Sequence, residues 1–279
     1  MPPRAPDRLS GLRLPAVAGA FYPDDPATVA ADARRLAAPS ADAPPRPVIA
    51  AVCPHAGWMY SGALAGRLAA AVEVPTRVLV LAPNHTGRGT RGSVWPGGAW
   101  RFPGADVPVD AAFCRALCEE STLLEPDVEA HLDEHAVEVL VPHLAARQPA
   151  LHLAPVVLGG LSFGECETLA GAITRTVQAA AGPTLILASS DMNHYRPDAE
   201  TRALDALALA PLEALDGHGL YRTVREQGIT MCGVIPATVA VLAARALGAT
   251  RATRIGYATS ADAGGDRDRV VGYAAVTMS

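Results

Sequence analysis

Three short runs of apolar residues each lead into a histidine, and this feature limits the fold more than any other in the chain. The runs are 48–53 before His55, 78–82 before His85 and 184–189 before His194. Continuous apolar runs bounded by turn residues are typical of strands that are buried on both faces of a parallel sheet. Ligands bind to such sheets beyond the carboxyl ends of the strands. If the three strands run parallel, the imidazoles meet at one edge and form a metal site or an acid/base cluster.

Length, composition and net charge limit the classes of protein to which the chain can belong. The chain has 279 residues, half of them hydrophobic, which fits one large α/β domain with a sizeable core. A net charge of −5 without a dense basic run argues against nucleic acid as a partner. No apolar stretch approaches the roughly 18 residues of a membrane span, and no signal peptide is evident. We therefore expect a cytoplasmic protein without a membrane partner, whose five scattered cysteines are reduced.

The order of predicted elements indicates one α/β domain over residues 13–279, preceded by a disordered leader over 1–12. Strands and helices alternate, which predicts a mainly parallel sheet with helices on both faces. The predicted helices are 26–38, 61–72, 110–120, 133–146, 163–180 and 233–247, with one or two more in 198–228, broken near Pro211 and Gly217. Further strands are predicted at 153–158, 254–259 and 270–278, an exposed connector at 39–45, and a loop or short antiparallel excursion at 87–108.

The turns that carry His55 and His85 resemble each other. Each histidine follows a proline at or near the end of an apolar run, and glycine lies two residues further on. Small residues there allow a ligand to approach the backbone. Imidazole suits iron, copper and zinc alike, so the pair does not select a metal. The alternative is that each histidine is hydrogen-bonded within its own turn.

Asp191 precedes the third histidine, His194, by three residues. The carboxylate could orient the imidazole through a ring N–H, an arrangement that fixes the tautomer of a histidine. It could equally cap the next element. His194 itself could be a third metal ligand or a general base that does not touch the metal.

Two further residues could take part in the chemistry. Cys232 lies just ahead of a predicted helix, where a thiol has a lowered pKa and its thiolate can act as ligand or nucleophile. Its alternative role is that of a small buried hydrophobic residue. His135 follows Asp133 and Glu134 at a predicted helix start and could supply another proton-transfer group, or it could be a partly buried structural residue.

Several familiar motifs are absent from the sequence. There is no GxxxxGK[ST] or GxGxxG, so nucleotide binding has no support, and there is no HExxH zinc motif. The lack of a GxSxG elbow argues against a hydrolase with an activated serine.

Taken together, these segments resemble the Memo family, also called AmmeMemoRadiSam system protein B. The stretches that carry the resemblance are 13–23, the His55 turn, the His85 turn, 133–138, 191–194 and Cys232–Gly233. They follow one another over almost the whole chain. The resemblance implies a single-domain αβα sandwich around a mainly parallel sheet, similar to class III extradiol dioxygenases, which cleave aromatic rings.

The resemblance also implies a metal site. The implied ligands are His55, His85 and Cys232, with His194 and Asp191 in the same pocket. The dioxygenases bind non-haem iron(II) with two histidines and a carboxylate. A cysteine in the third position is softer and oxidisable, favours copper or zinc more than a carboxylate does, and argues against ring cleavage.

We therefore expect a metal-dependent redox protein that binds iron(II) or copper, with zinc as a further candidate. His194, oriented by Asp191, and His135 are the expected catalytic groups. The alternative is a non-catalytic module that recognises a small molecule, a peptide or a partner protein through the same pocket, and the resemblance implies radical-SAM and AMMECR1-like proteins as partners. A dioxygenase acting on a catechol-like substrate is a third hypothesis.

Overall fold

The computed structural model describes residues 11–40 and 44–279. The predicted leader therefore lies outside the described residues except for Gly11 and Leu12, and so does the middle of the predicted connector. Among the described residues, no helix combines the length and the apolar character needed to cross a bilayer.

The strands predicted from apolar runs are all present, and the short strands β1, β7 and β10 were not predicted. Their bounds are β1 Leu12–Arg13, β2 Ala50–Cys53, β3 Arg77–Pro83, β4 Gly92–Val94, β5 Ala99–Phe102, β6 Ala105–Pro108, β7 Glu125–Pro126, β8 His152–Leu158, β9 Thr184–Ser189, β10 His194–Arg196, β11 Ala252–Thr259 and β12 Val270–Met278. Every residue of β2 and β9 is buried. Burial on both faces explains why these sequences are continuously apolar and do not alternate.

Within the described residues, nine of these strands form one sheet in the order β10-β12-β2-β9-β3-β8-β4-β7, with β11 also paired to β12. The four central strands β2, β9, β3 and β8 are mutually parallel, whereas β12, β10, β11 and β4 pair antiparallel at the flanks. Cys53 pairs with Ser189, so β2 and β9 end side by side. The prediction of parallel strands that reach one edge together is confirmed.

The helices also follow the predicted order, except that the single helix predicted over 133–146 is two short helices. Their bounds are α1 Pro26–Leu36, α2 Ala63–Ala71, α3 Ala111–Glu120, α4 His135–Glu138, α5 Val141–Arg147, α6 Phe163–Ala179, α7 Asp198–Glu213, α8 Gly217–Glu226 and α9 Val234–Ala246. A π-helical turn, Trp58–Gly62, precedes α2. Pro211 lies inside α7, and the chain turns between α7 and α8 at Leu215, which has a φ of 55°. The predicted break is thus confirmed at Gly217 but is wrong at Pro211.

Helices cover both faces of the sheet. On one face α9 packs against β2, β9 and β3, and α6 and α8 pack against α9. On the other face α2 packs over β2, β12 and β11, with α1 and α5 beside it. The protein is therefore a single α/β domain with an αβα sandwich, as predicted. The excursion between β3 and α3 forms β4, which lies between β8 and the edge strand β7, and the β5–β6 hairpin, which pairs with β1 in a small second sheet.

A buried ion pair links residues 13–22 to α4. Arg13 donates to Glu138, and both side chains are fully buried. Glu138 Oε1 also accepts from Tyr22 Oη at 2.8 Å and from the Val17 amide at 3.0 Å, and Oε2 accepts from the Ala16 amide at 2.8 Å. One carboxylate therefore holds both ends of the segment 13–22 against α4.

His143, in α5, gives the fold a measurable pH dependence. Neither of its ring nitrogens has a hydrogen-bond partner among the described residues, and its ring packs 4.4 Å from that of Trp58. Burial lowers the pKa of His143 to about 3. The unfolded chain therefore takes up a proton at this position as the pH falls below about 6.5, whereas the folded protein does not.

We expect His143→Phe to make the protein more resistant to acid. Because the variant lacks this proton uptake, wild type should lose about 1 kcal/mol of unfolding free energy per pH unit relative to the variant between about pH 6 and pH 4. Urea unfolding at pH 7, 6, 5 and 4 measures this difference. His152→Phe, at an exposed position, is the control for exchanging a histidine for phenylalanine. Equal pH slopes for His143→Phe and wild type would contradict the assignment.

Candidate metal centre

The candidate site lies at the carboxyl edge of the parallel strands. His55 follows β2 by two residues and His85 follows β3 by two residues, and β9 lies between these strands. The two imidazoles meet edge to face, with ring centroids 5.2 Å apart and an interplanar angle of 79°. The topology thus brings together two side chains that are 30 residues apart in the sequence.

His55 is completely enclosed. Its Nδ1 lies 2.7 Å from Ser189 Oγ, at the end of β9, and its backbone amide donates to Asp191 Oδ1 at 2.8 Å. Burial, followed by the neighbouring histidines, lowers the pKa of His55 well below its usual range. The imidazole is therefore neutral at pH 7, which is the form that binds a metal ion.

Glu134 holds His85. Its Oε1 lies 2.8 Å from His85 Nδ1, its Oε2 accepts from the His85 amide at 2.7 Å, and the Ala136 amide donates to Oε1 at 3.0 Å. Burial alone would raise the pKa of the Glu134 carboxyl, but its hydrogen bonds with His85 and with the Ala136 amide lower it below its usual value. A carboxylate on the ring nitrogen that faces away from the pocket is the usual partner of a metal-binding histidine.

His135, the first residue of α4, joins the pair. Its ring stacks on that of His85 at 4.7 Å and 19°, and it meets His55 edge to face at 5.3 Å. The ligand atoms of His55, His85 and His135 all lie within 4.8 Å of one another, so these three histidines could hold a metal ion. Burial lowers the pKa of His135 to about 4, and this imidazole is therefore neutral as well.

Cys232 also reaches His55. Its Sγ lies 3.3 Å from His55 Nε2 and accepts from the Asp191 amide at 3.3 Å. Cys232 is outside the group of ligand atoms that lie within 4.8 Å of one another. The expected lowering of its thiol pKa is wrong, because burial, followed by the charge of Asp191, raises that pKa. The residue precedes α9 by two positions, and burial outweighs the helix dipole.

Asp191 does not orient His194. Its carboxylate accepts from the His55 amide at 2.8 Å, and burial raises its pKa to about 7 against the opposing effect of that hydrogen bond. His194 is held instead by Thr230, whose carbonyl lies 2.9 Å from His194 Nδ1 and whose Oγ1 accepts from the His194 amide at 2.7 Å. The prediction that Asp191 orients His194 is therefore wrong. Asp191 contacts the His55 turn, and Thr230 contacts His194.

A cavity of about 590 Å³ contains all six residues that the sequence analysis named for the site. Its lining is His55, His85, His135, Asp191, His194 and Cys232, together with Phe21, Ala56, Gly57, Tyr60, Tyr195, Thr230, Val271 and Tyr273. Aromatic side chains form much of the remaining wall. Tyr195, which lines the cavity and is exposed, has a φ of 62°, an uncommon backbone conformation that is often found at functional sites.

The sequence analysis missed the residues that hold the imidazoles. Ser189 was visible only as the end of an apolar strand, Glu134 as an acid at a helix start, and Thr230 carried no motif at all. The contact between the rings of Phe21 and His135, whose centroids are 4.8 Å apart and whose planes are tilted by 50°, was equally hidden. One signal in the sequence could have pointed to Glu134. It is adjacent to His135, and carboxylates often hydrogen-bond to histidines that bind metals.

Comparison with known proteins agrees with this architecture. The sequence model described as "Memo-like protein" matches residues 13–277. A MEMO1 family protein of Methanothermobacter thermautotrophicus is 33% identical over 276 residues, which covers 94% of this chain and 99% of the relative. MEMO1 family proteins of Saccharolobus solfataricus and Aquifex aeolicus are 36% and 35% identical, each over 94% of this chain and over 98% and 97% of their own lengths. The chain belongs to the Memo family.

Proposed function

We infer that the protein is a metal-dependent redox protein that binds iron(II) or copper through His55, His85 and Cys232. The observation that carries this proposal is the 3.3 Å contact between Cys232 Sγ and His55 Nε2 at the cavity that His85 also lines. Nδ1 of His55 and Nδ1 of His85 are bonded to protein groups, so Nε2 of each ring is available for an ion.

The donor set fits such an ion. Imidazole nitrogens suit iron and copper, and a thiolate adds a soft ligand that copper(I) and zinc also accept. The thiol proton must leave when a metal binds, and burial makes that proton costly to remove without a metal. A bound iron or copper ion would supply one-electron redox chemistry at this position.

Cys232 is preferred to His135 as the third ligand on geometric grounds. An ion lies close to the plane of an imidazole that binds it, whereas His85 and His135 are stacked with nearly parallel planes 4.7 Å apart. Two stacked rings converge poorly on one ion. His135 instead stands beside the site as a neutral imidazole that can accept a proton.

The other polar residues of the cavity would handle protons. The Thr230 carbonyl accepts the Nδ1 proton of His194, so the Nε2 lone pair of His194 is left to take a proton from a substrate. Asp191 holds the backbone of the His55 turn through its hydrogen bond with the His55 amide. The aromatic wall would exclude water and pack against a small molecule or a peptide side chain.

Anaerobic titration of the metal-free protein with iron(II), and separately with copper(I), tests the ligand set. Losing a direct ligand should weaken binding by more than the roughly 10- to 100-fold that an outer hydrogen bond contributes. We expect this for His55→Ala and Cys232→Ser, a smaller effect for His135→Ala, and none for the exposed control His152→Ala.

Undiminished binding by His55→Ala and Cys232→Ser would rule out the proposed site. A large loss in His135→Ala, with full binding in Cys232→Ser, would show that the ligands are three histidines and that the His/His/Cys assignment is wrong.

A binding module is the second candidate function, and exposed apolar side chains beside the cavity favour it. Met59 is 74% exposed, and Tyr60 and Tyr195 are exposed where they line the cavity. Such side chains can anchor a peptide or a partner protein. Oxygen consumption by the iron-loaded protein with a reductant discriminates the two functions, because a module that only binds would not turn over.

A further inference from the structure

Two residues outside the ligand set face the inner nitrogens of the proposed ligands. Ser189 Oγ lies 2.7 Å from Nδ1 of His55, and Glu134 Oε1 lies 2.8 Å from Nδ1 of His85. Ser189 and Glu134 are both completely buried, so water does not substitute for either contact.

The Ser189 hydroxyl donates its hydrogen bond to a backbone carbonyl. Ser189 Oγ lies 2.6 Å from the carbonyl oxygen of Ala136, which can only accept. The hydroxyl proton therefore points to Ala136, and Oγ presents a lone pair to His55. His55 must then carry its proton on Nδ1, which leaves a lone pair on the Nε2 that faces Cys232 Sγ.

The carboxylate of Glu134 imposes the same tautomer on His85. Its Oε2 takes the His85 amide proton at 2.7 Å, and its Oε1 takes the Ala136 amide proton at 3.0 Å. Both oxygens accept hydrogen bonds from backbone N–H groups, and a backbone N–H can only donate. Nδ1 of His85 is thus the donor to Oε1, and the tautomer of the neutral ring that results has its lone pair on Nε2.

We propose that Ser189 and Glu134 are positioning residues that set the tautomers of His55 and His85 before the metal arrives. Both contacts meet at Ala136, whose carbonyl takes the Ser189 proton and whose amide donates to Glu134. The turn of α4 is thereby hydrogen-bonded to the partners of both histidines, and both Nε2 lone pairs are ready in the metal-free protein. This inference rests on the proposed function, since it assigns the two residues to that metal site.

Each substitution has a defined effect on a ring. In Ser189→Ala, Nδ1 of His55 loses its acceptor, and the ring gains by carrying its proton on Nε2, where Cys232 Sγ can accept it. In Glu134→Gln, an NH₂ group must face either the His85 amide or Nδ1 of His85, and in the second case the proton moves to Nε2. A residue that merely filled space would change stability and leave the tautomers as they are.

Nitrogen-15 NMR of the metal-free protein reads the tautomers directly. We expect both His55 and His85 of wild type to carry the proton on Nδ1, and Ser189→Ala to shift His55 towards the Nε2–H form. Ser93→Ala is the matched control, because Ser93 is also fully buried and donates to a backbone carbonyl, that of Asp127, away from the site. An Nε2–H tautomer of His55 in folded wild type, or an unchanged tautomer in Ser189→Ala, would overturn the proposal.

Anaerobic titration with iron(II) alone gives the second readout. We expect roughly 10- to 100-fold weaker binding for Ser189→Ala and for Glu134→Gln, and wild-type affinity for Ser93→Ala. Equal affinity in Ser189→Ala and wild type would overturn the positioning role. If wild type binds neither iron(II) nor, in a parallel titration, copper(I), the proposed function fails, whereas the tautomers measured in the metal-free protein still decide whether Ser189 and Glu134 set them.

Discussion

Glu138→Gln should destabilise the protein by about 3–5 kcal/mol, the cost of breaking a buried ion pair from one side. The substitution keeps the size of the side chain but leaves the Arg13 guanidinium charged and buried without its counter-ion. It also places an amide nitrogen where the carboxylate now accepts from Tyr22, Ala16 and Val17. Because that segment carries Phe21, which packs on His135, the cavity should loosen as well.

Urea unfolding at pH 7 measures this cost. Glu120→Gln is the matched control, since Glu120 pairs with Arg175 at 2.9 Å and both side chains are exposed. An exposed pair contributes about 0–1 kcal/mol. A loss of stability in Glu138→Gln no larger than that in Glu120→Gln would show that the buried ion pair does not hold residues 13–22 in place.

Gly233→Ala should impair both folding and metal binding. A Cβ at this position would lie 2.4 Å from the carbonyl oxygen of Ser189 and 2.4 Å from Ser190 Cβ. Neither atom can withdraw, because both belong to the end of a buried central strand and its continuation. The start of α9 must therefore move outward and take Cys232 with it, at a cost of about 1–3 kcal/mol.

The control for this variant is Gly164→Ala. Gly164 lies in α6, and a Cβ there meets nothing within 4 Å. Alanine favours a helix, so this variant should keep or gain up to about 1 kcal/mol. Folded Gly233→Ala that binds iron(II) as tightly as wild type would contradict the requirement for Cys232 at its observed position.

Much of the fold could be predicted because its central strands are buried on both faces. The uninterrupted apolar sequences of β3 and β9 reveal their strand identity, and alternation with helices reveals the parallel order. Pro211 misled the prediction because α7 continues through it and ends two residues later. The π-helical turn after His55 has no sequence signature of the kind used here and was not predicted.

The candidate site could be predicted in part. Strand ends predict where His55 and His85 lie, because parallel strands share an edge. Spacing says nothing about Cys232 or His135, since each arrives on an element whose approach to that edge depends on long-range packing. The predicted hydrogen-bond partner of His194 was wrong for the same reason. Thr230 is 36 residues from His194 in the sequence, and no motif favoured it over the nearer Asp191.

X-ray absorption spectroscopy of the anaerobic iron(II) complex tests the central claim most directly, because it identifies the atoms bonded to the ion. For wild type we expect one sulfur together with imidazole nitrogens in the first coordination shell, and for Cys232→Ser the same imidazoles without the sulfur. A wild-type spectrum with nitrogen and oxygen alone, unchanged by Cys232→Ser, would contradict the His/His/Cys centre.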